Sequence, residues 1–293
     1  MSPPLTLPPP PGPWEAWDLH PSVLIGLALL GGLYVYWGGL KAPRRQIAAF
    51  AAALAVLGLS LNGPLHTLSD HSLFSAHMVQ HLVLTLVFPP LLLYGTPAWV
   101  IRPLTRPRAV ERLARWATRP LVAGVLFSAP ITLWHVPQFY EAALEHHPLH
   151  IVQHLVFLAT AVIMWWPVLS PVPELPRASY PTQLIYLFAL GLPMSLAGAL
   201  ITLSDSVLYP FYVAAPRVWG LAPLADQQLG GLAMWVVGTI YLWVAATVVW
   251  FRWAMREEAA GEGDDGRGGG DERAVPPEAY TTRLRRSPPT GAA

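Results

Sequence analysis

The sequence predicts an all-α polytopic membrane protein with seven transmembrane helices, its N-terminus outside and its C-terminus cytoplasmic. Three observations lead there. Of 293 residues, 54% are hydrophobic and only 12% charged, with positive mean hydropathy, as in chains that live in lipid. Seven apolar runs approach the ~20 residues that a bilayer-crossing helix requires. The basic residues fall, with one exception, in alternate connections between those runs. A net charge of +1 gives no electrostatic basis for binding nucleic acid. With no cysteine, disulfides, Cys-based zinc sites and thiolate copper sites are excluded.

Residues 1–21 are proline-rich, with Glu15 and Asp18 and no basic residue. A signal peptide requires a positive first region, so none is read here and the first span is expected to be retained outside in. The seven-span domain covers 22–253, with runs at 22–40, 46–63, 73–95, 120–137, 149–169, 182–203 and 227–251. Backbone groups in hydrocarbon must bond internally, so these runs are helices. Pro89-Pro90, Pro130 and Pro193 lie inside spans and predict kinks or helix ends. Trp165, Trp166, Tyr241, Trp250 and Trp253 lie near predicted ends and read as interface aromatics. Between Arg106 and Arg119, Val110, Leu113, Ala114 and Trp116 alternate with arginines. That segment is either a short amphipathic surface helix or a solvated basic loop. Residues 254–293 are rich in Gly, Asp, Glu, Arg and Pro, cannot bury a core, and predict a disordered cytoplasmic tail.

Charge sets the orientation. Lys41, Arg44 and Arg45 follow span 1. Arg102, Arg106, Arg108, Arg112, Arg115 and Arg119 follow span 3, and Arg177 follows span 5. Arg252, Arg256, Arg267, Arg273, Arg283, Arg285 and Arg286 follow span 7, leaving Arg217 alone of the 18 basic residues on the other side. The positive-inside rule then places the N-terminus out and the C-terminus in. That solution needs an odd number of spans, so charge supports seven independently of hydropathy.

Under this topology all ten histidines lie on the outward side or in outer halves of spans. His77-Met78-Val79-Gln80-His81-Leu82-Val83 recurs as His150-Ile151-Val152-Gln153-His154-Leu155-Val156. Residues i and i+4 share a helix face, with Cβ atoms ~5–6 Å apart. Each copy therefore presents two imidazoles to one point, and if spans 3 and 5 pack, four converge. Gln80 and Gln153 leave that face by about 100° and are placed either to fix a ring on a neighbouring helix or to bridge helices. A single intramembrane histidine is as readily explained by a hydrogen bond between helices as by a ligand. A duplicated pair is less so, because one structural bond needs one imidazole. His135 sits near the outer end of span 4, and Met78 beside the first pair. Asp226 opens span 7, either orienting an imidazole or capping its own helix. His66 and His71 flank Asp70 in an outer rim, and His146-His147 reads as a solvated loop. Imidazole suits zinc, copper, iron and nickel, and thioether favours Cu(I). Outward access, imidazole, some thioether and no thiol fit copper handled outside the cytoplasm, but spacing alone does not separate copper from zinc or haem.

Several segments together resemble the CtaG family of multi-span cytochrome c oxidase assembly factors, the group associated with caa-type oxidases. They are Ser75-Ala76-His77-Met78-Val79-Gln80-His81, Pro89-Pro90-Leu91-Leu92, Trp134-His135-Val136-Pro137, His150 to His154 with Trp165-Trp166-Pro167, Leu208-Tyr209-Pro210 with Tyr212, and Asp226 to Trp235. They span Leu65 to Trp253 in order, specific as a set and weak singly. The resemblance implies a seven-span fold and a non-enzymatic role in maturing a terminal oxidase, thought to involve copper. A single-span copper chaperone shares the family's name but depends on cysteines that this chain lacks.

The sequence-based expectation is an inner-membrane assembly factor in contact with lipid and oxidase subunits. It binds copper transiently through His77, His81, His150, His154 and His135, with Met78 and Asp226 in support. Three rivals stand beside it: a haem protein with bis-histidine ligation, a transporter with a histidine proton relay, and a chaperone acting by helix contacts alone.

Overall fold

The computed structural model describes Trp17 and residues 19–268, with side chains through residue 260; the proline-rich start and residues 269–293 of the tail lie outside that range. The secondary structure of the described residues is all helical, with no strand among them. The chain divides into two units, residues 1–247 and 248–293. The second is helical to Gly268, where the sequence predicts disorder from residue 254. The difference has a local cause: Ala254 to Ala260 is almost entirely Ala, Met, Arg and Glu, the strongest helix formers.

The first unit runs through α1 (Pro21–Tyr36), α2 (Arg44–Asn62) and the short α3 (Pro64–His71) into α4 (Phe74–Gly95). Next come α5 (Ala98–Thr105), α6 (Arg108–Ala117), α7 (Pro120–Trp134), α8 (Pro137–Glu145), α9 (His147–Leu169), α10 (Tyr180–Thr202) and α11 (Phe211–Ala214). The last helix is α12, Pro223–Ala260 by its apolar content. Five of these, α2, α4, α9, α10 and α12, are long and apolar enough to cross a membrane. A sixth span exists if α7 and α8, bent by 77° at His135-Val136, count as one. Of the seven predicted spans, the first forms only a shorter apolar helix of 16 residues. That is about 24 Å at 1.5 Å per residue, against ~30 Å of hydrocarbon.

The basic segment predicted as an amphipathic helix or a loop is a helix, α6. Glu111 and Arg115 pair across one of its turns at 2.6 Å, while Leu113 and Trp116 stay exposed.

α4 is the central helix: 61% of its apolar window is buried inside the protein, against 33% for α2 and 39% for α10. Ala53, Leu57 and Leu61, spaced by one turn along α2, pack on Leu84 and Phe88 of α4. Gly230 and Gly231 of α12 allow close helix approach. A Cβ on Gly231 would lie 2.8 Å from the Gly198 carbonyl, so α10 and α12 meet backbone to backbone. A Cβ on Gly230 would run into the Phe74 ring at the start of α4.

Pro89 and Pro90 do not end α4. Residues Val83–Val87 form one π-helical turn before them. The Thr85 carbonyl would ordinarily accept from residue 89 in an α-helix or residue 90 in a π-turn, and both are prolines without an N–H. Trp165 of α9 supplies the missing donor, its indole Nε1–H reaching Thr85 O at 3.0 Å. Trp165 and Trp166 are thus buried rather than interfacial as the sequence suggests. Trp166 likewise donates to Leu175 O at 3.3 Å. Trp165→Phe should leave the Thr85 carbonyl buried without a partner and cost about 1–3 kcal/mol. The expected readout is a lower denaturation midpoint for the detergent-purified protein; an unchanged midpoint would mean that the carbonyl finds another donor.

Candidate metal centre

The site is built on the first turns of α4 and α9, and its depth depends on how α4 begins. Phe74 and Ser75, the first two residues of α4, have no side-chain cap of their own. Asp226, fully buried in the first turn of α12, supplies one. It accepts from Phe74 N at 2.7 Å, from Ser75 N at 3.1 Å and from the Ser75 hydroxyl. This corrects both sequence readings of Asp226. It neither orients an imidazole nor caps its own helix, which starts without a side-chain cap; it caps α4. A carboxylate at a helix N-terminus also meets the favourable end of the helix dipole.

One turn further on, α4 presents His77 and His81, with ring centroids 4.2 Å apart. α9 presents His150 and His154, 4.5 Å apart, and the two pairs face each other. His77 lies 5.7 Å from His150 and 6.5 Å from His154, and His81 lies 5.4 Å from His154. The sequence predicts two pairs and could not place them together; the fold does. His135, at the bend after α7, joins from the third side, 6.4 Å from His81. Its Nε2 faces Met78 Sδ at 3.4 Å. All five histidines and Met78 are buried.

Their hydrogen bonding is uneven. His150 and His154 face each other Nε2 to Nε2 at 2.8 Å, and His135 Nδ1 donates to Ile131 O at 2.5 Å. Both ring nitrogens of His77, both of His81 and Nδ1 of His154 are buried without a hydrogen-bond partner. The Ser69 carbonyl approaches the His77 ring without meeting hydrogen-bond geometry. Buried polar atoms in native proteins are nearly always paired, so five unpaired nitrogens at one point mark a place suited to a ligand that accepts lone pairs. Neutral imidazoles with a thioether are such a donor set for copper.

The outer rim carries residues that the sequence did not single out as ligands. Asp70, on α3, brings Oδ2 to 3.4 Å from His150 Nδ1 and 3.5 Å from His66 Nε2. Asp70, His77 and His150 offer ligand atoms within 4.8 Å of one another. The available signal was spacing: His66 and Asp70 are four apart, on one helical face. His66 meets His20 Nε2 to Nε2 at 2.8 Å, and His20 stacks on exposed His147 at 5.7 Å. Gln80 fixes the His66 ring. Its amide nitrogen donates to Ser60 O at 2.6 Å and reaches His66 Nδ1 at 3.0 Å, so Nδ1 is the acceptor and Nε2 carries the proton. That is the neighbouring-ring role predicted for this glutamine. Burial, reinforced by His20 and His150, pushes the His66 imidazole down to about 3, so it stays neutral. A groove of about 390 Å³ between α1, α2 and α9 reaches the centre past His20, His66, Asp70 and His147.

Tyrosines close the other side. Tyr209 donates to His135 O at 2.8 Å and stacks on Phe74 at 4.6 Å. Tyr212 donates to Ser69 O at 3.0 Å and meets the Tyr140 hydroxyl at 2.8 Å. Gln227 holds this segment, accepting from Leu208 N at 2.6 Å and donating to Ser206 O at 3.1 Å.

The family model for the cytochrome c oxidase caa3 assembly factor, Caa3_CtaG, matches residues 29–256. The chain belongs to this family. Every element of the centre named above except His20 lies inside the matched range. The chain is also 26% identical over 230 residues to an uncharacterized protein of Mycobacterium bovis and, equally, to one of Mycobacterium tuberculosis, covering 73% of this chain and 35% of each relative. An uncharacterized protein of Mycobacterium leprae is 22% identical over 262 residues, 83% of this chain and 40% of that protein. The chain thus spans well under half the length of the curated relatives it matches. No solved structure matches it.

Asp226→Ala should free two amides at the start of α4 and cost about 1–2 kcal/mol, the range of helix-cap deletions. Amide hydrogen exchange at residues 74–78 should speed up with it; exchange unchanged there would mean that α4 is positioned by packing alone.

Proposed function

We propose that this family member is a seven-span assembly factor of the bacterial cytoplasmic membrane that receives copper on the outer side and passes it to a cytochrome c oxidase subunit. His77, His81, His150, His154 and His135 supply the copper ligands, with Met78 beside them. Asp226 supports the site through the backbone of α4. The observation that carries the metal reading is the set of buried, unpartnered ring nitrogens on His77, His81 and His154, between two helices whose imidazoles lie 5.4 to 6.5 Å apart.

The seven-span topology rests on helices at all seven predicted runs and on the segregation of basic residues. Under it the N-terminus lies outside and every histidine of the centre lies toward the outer surface. Copper here is cargo. Neutral imidazole and thioether ligands bind it without an opposing charge, and His20 and His147 line an open approach. Such an arrangement suits an ion that must leave again.

The test is copper content of the purified full chain. His77→Ala with His81→Ala should lower copper affinity by more than about tenfold, since each lost ligand costs at least what an outer partner costs. In cells the same pair should lower the copper content of the oxidase. Wild-type protein that binds no copper would sink the metal reading, and a Soret band in that protein would move it to the haem alternative.

A further inference from the structure

The centre has two chemically different ends. At the inner end, His135 Nδ1 lies 2.5 Å from Ile131 O. A carbonyl cannot donate, so Nδ1 carries the proton and Nε2 of the neutral ring is a bare lone pair. That lone pair faces Met78 Sδ at 3.4 Å, and a thioether has no proton to give. Two lone-pair donors therefore meet with nothing between them, with Met78 wholly buried. Nitrogen and sulfur ligands of one tetrahedral ion, at bond lengths of ~2.0 and ~2.3 Å, stand about 3.5 Å apart. The adjoining His81 ring, 6.4 Å from His135 between centroids, has both nitrogens unpartnered.

At the outer end the donors include an oxygen. Asp70 Oδ2 is 3.4 Å from His150 Nδ1, close to the ~3.3 Å expected of nitrogen and oxygen ligands on one tetrahedral ion. His77 completes a triad within 4.8 Å. The carboxylate brings a negative charge and a hard donor to a place bordering the groove.

The two ends cannot share an ion. His77 and Met78 are consecutive on α4, so their side chains leave the helix about 100° apart. His77 turns toward His150, 5.7 Å away, and Met78 toward His135.

The geometry points to two ion stations in series, an outer one of Asp70, His150 and His77 for a divalent cation, and an inner one of Met78, His135 and His81 for a soft monovalent cation of the Cu(I) class. This rests on the metal reading proposed above and divides its ligands. The charge matches the assignment: the carboxylate offsets part of a divalent charge, whereas neutral nitrogen and sulfur suit a single charge and favour Cu(I). The His77–His81 pair, 4.2 Å apart, joins the stations.

The test uses the purified full-length protein in detergent, with Ag(I) as a redox-inert soft monovalent probe and Co(II) as a coloured divalent probe. Both should bind together, neither displacing the other. Met78→Leu, which nearly conserves volume, should weaken Ag(I) by at least about tenfold and leave Co(II) unchanged. It should also remove the silver–sulfur signal from the X-ray absorption spectrum. Asp70→Asn should do the reverse, weakening Co(II) alone. His135→Gln serves as a second inner variant, with circular dichroism and gel filtration confirming the fold of each. One-for-one displacement of Co(II) by Ag(I), or an Ag(I) affinity and sulfur signal untouched by Met78→Leu, overturns the two stations while leaving copper binding intact. Failure of both probes and of copper overturns the metal reading itself.

Discussion

Asp226 is the contact on which the geometry of the centre depends. A buried carboxylate is costly unless its oxygens are fully bonded, and this one is bonded by two backbone amides and a hydroxyl at the start of α4. The same contact ties the first turn of α12 to the first turn of α4. Gly230, one turn later on α12, leaves room for Phe74, and Phe74 in turn stacks on Tyr209. His77 and His81 follow within the next two turns, so their depth is set by a residue about 150 positions away in the chain.

Around that anchor the buried polar groups divide into two kinds. Gln80 uses both amide hydrogens and its oxygen on Ser60, His66 and Ser69. Its neighbours His77 and His81 use none of their nitrogens. Both kinds sit on the same helix at similar burial. The unpaired imidazoles are local, and they coincide with the point where α4, α9 and the α7–α8 bend come together.

The irregular backbone serves the same point. Pro89 and Pro90 follow the π-turn at Val83–Val87 and leave the Thr85 carbonyl without a helical donor, and Trp165 takes it. That bond fastens α4 to α9 below the histidines, while Asp226 fastens α4 above them. A second π-turn lies in α12 at Ala233–Val237, just after Gly231, which meets Gly198. Such turns shift the faces of a helix relative to a regular one, and they recur at functional sites.

The sequence by itself determined the helical class, the apolar runs and the two histidine pairs, because these follow from local periodicity, charge and i,i+4 spacing, and its motifs as a set carried the family resemblance. It also placed Gln80 off the ligand face. It misjudged Asp226 and the tryptophans at 165 and 166, and it left Asp70 and His66 as rim residues. Each of those depends on what stands across from it. Asp226 meets α4, Trp165 meets a carbonyl that two prolines released, and Asp70 meets His150 across α3 and α9. Spacing along one helix fixes which side chains share a face; only packing between helices decides what that face meets.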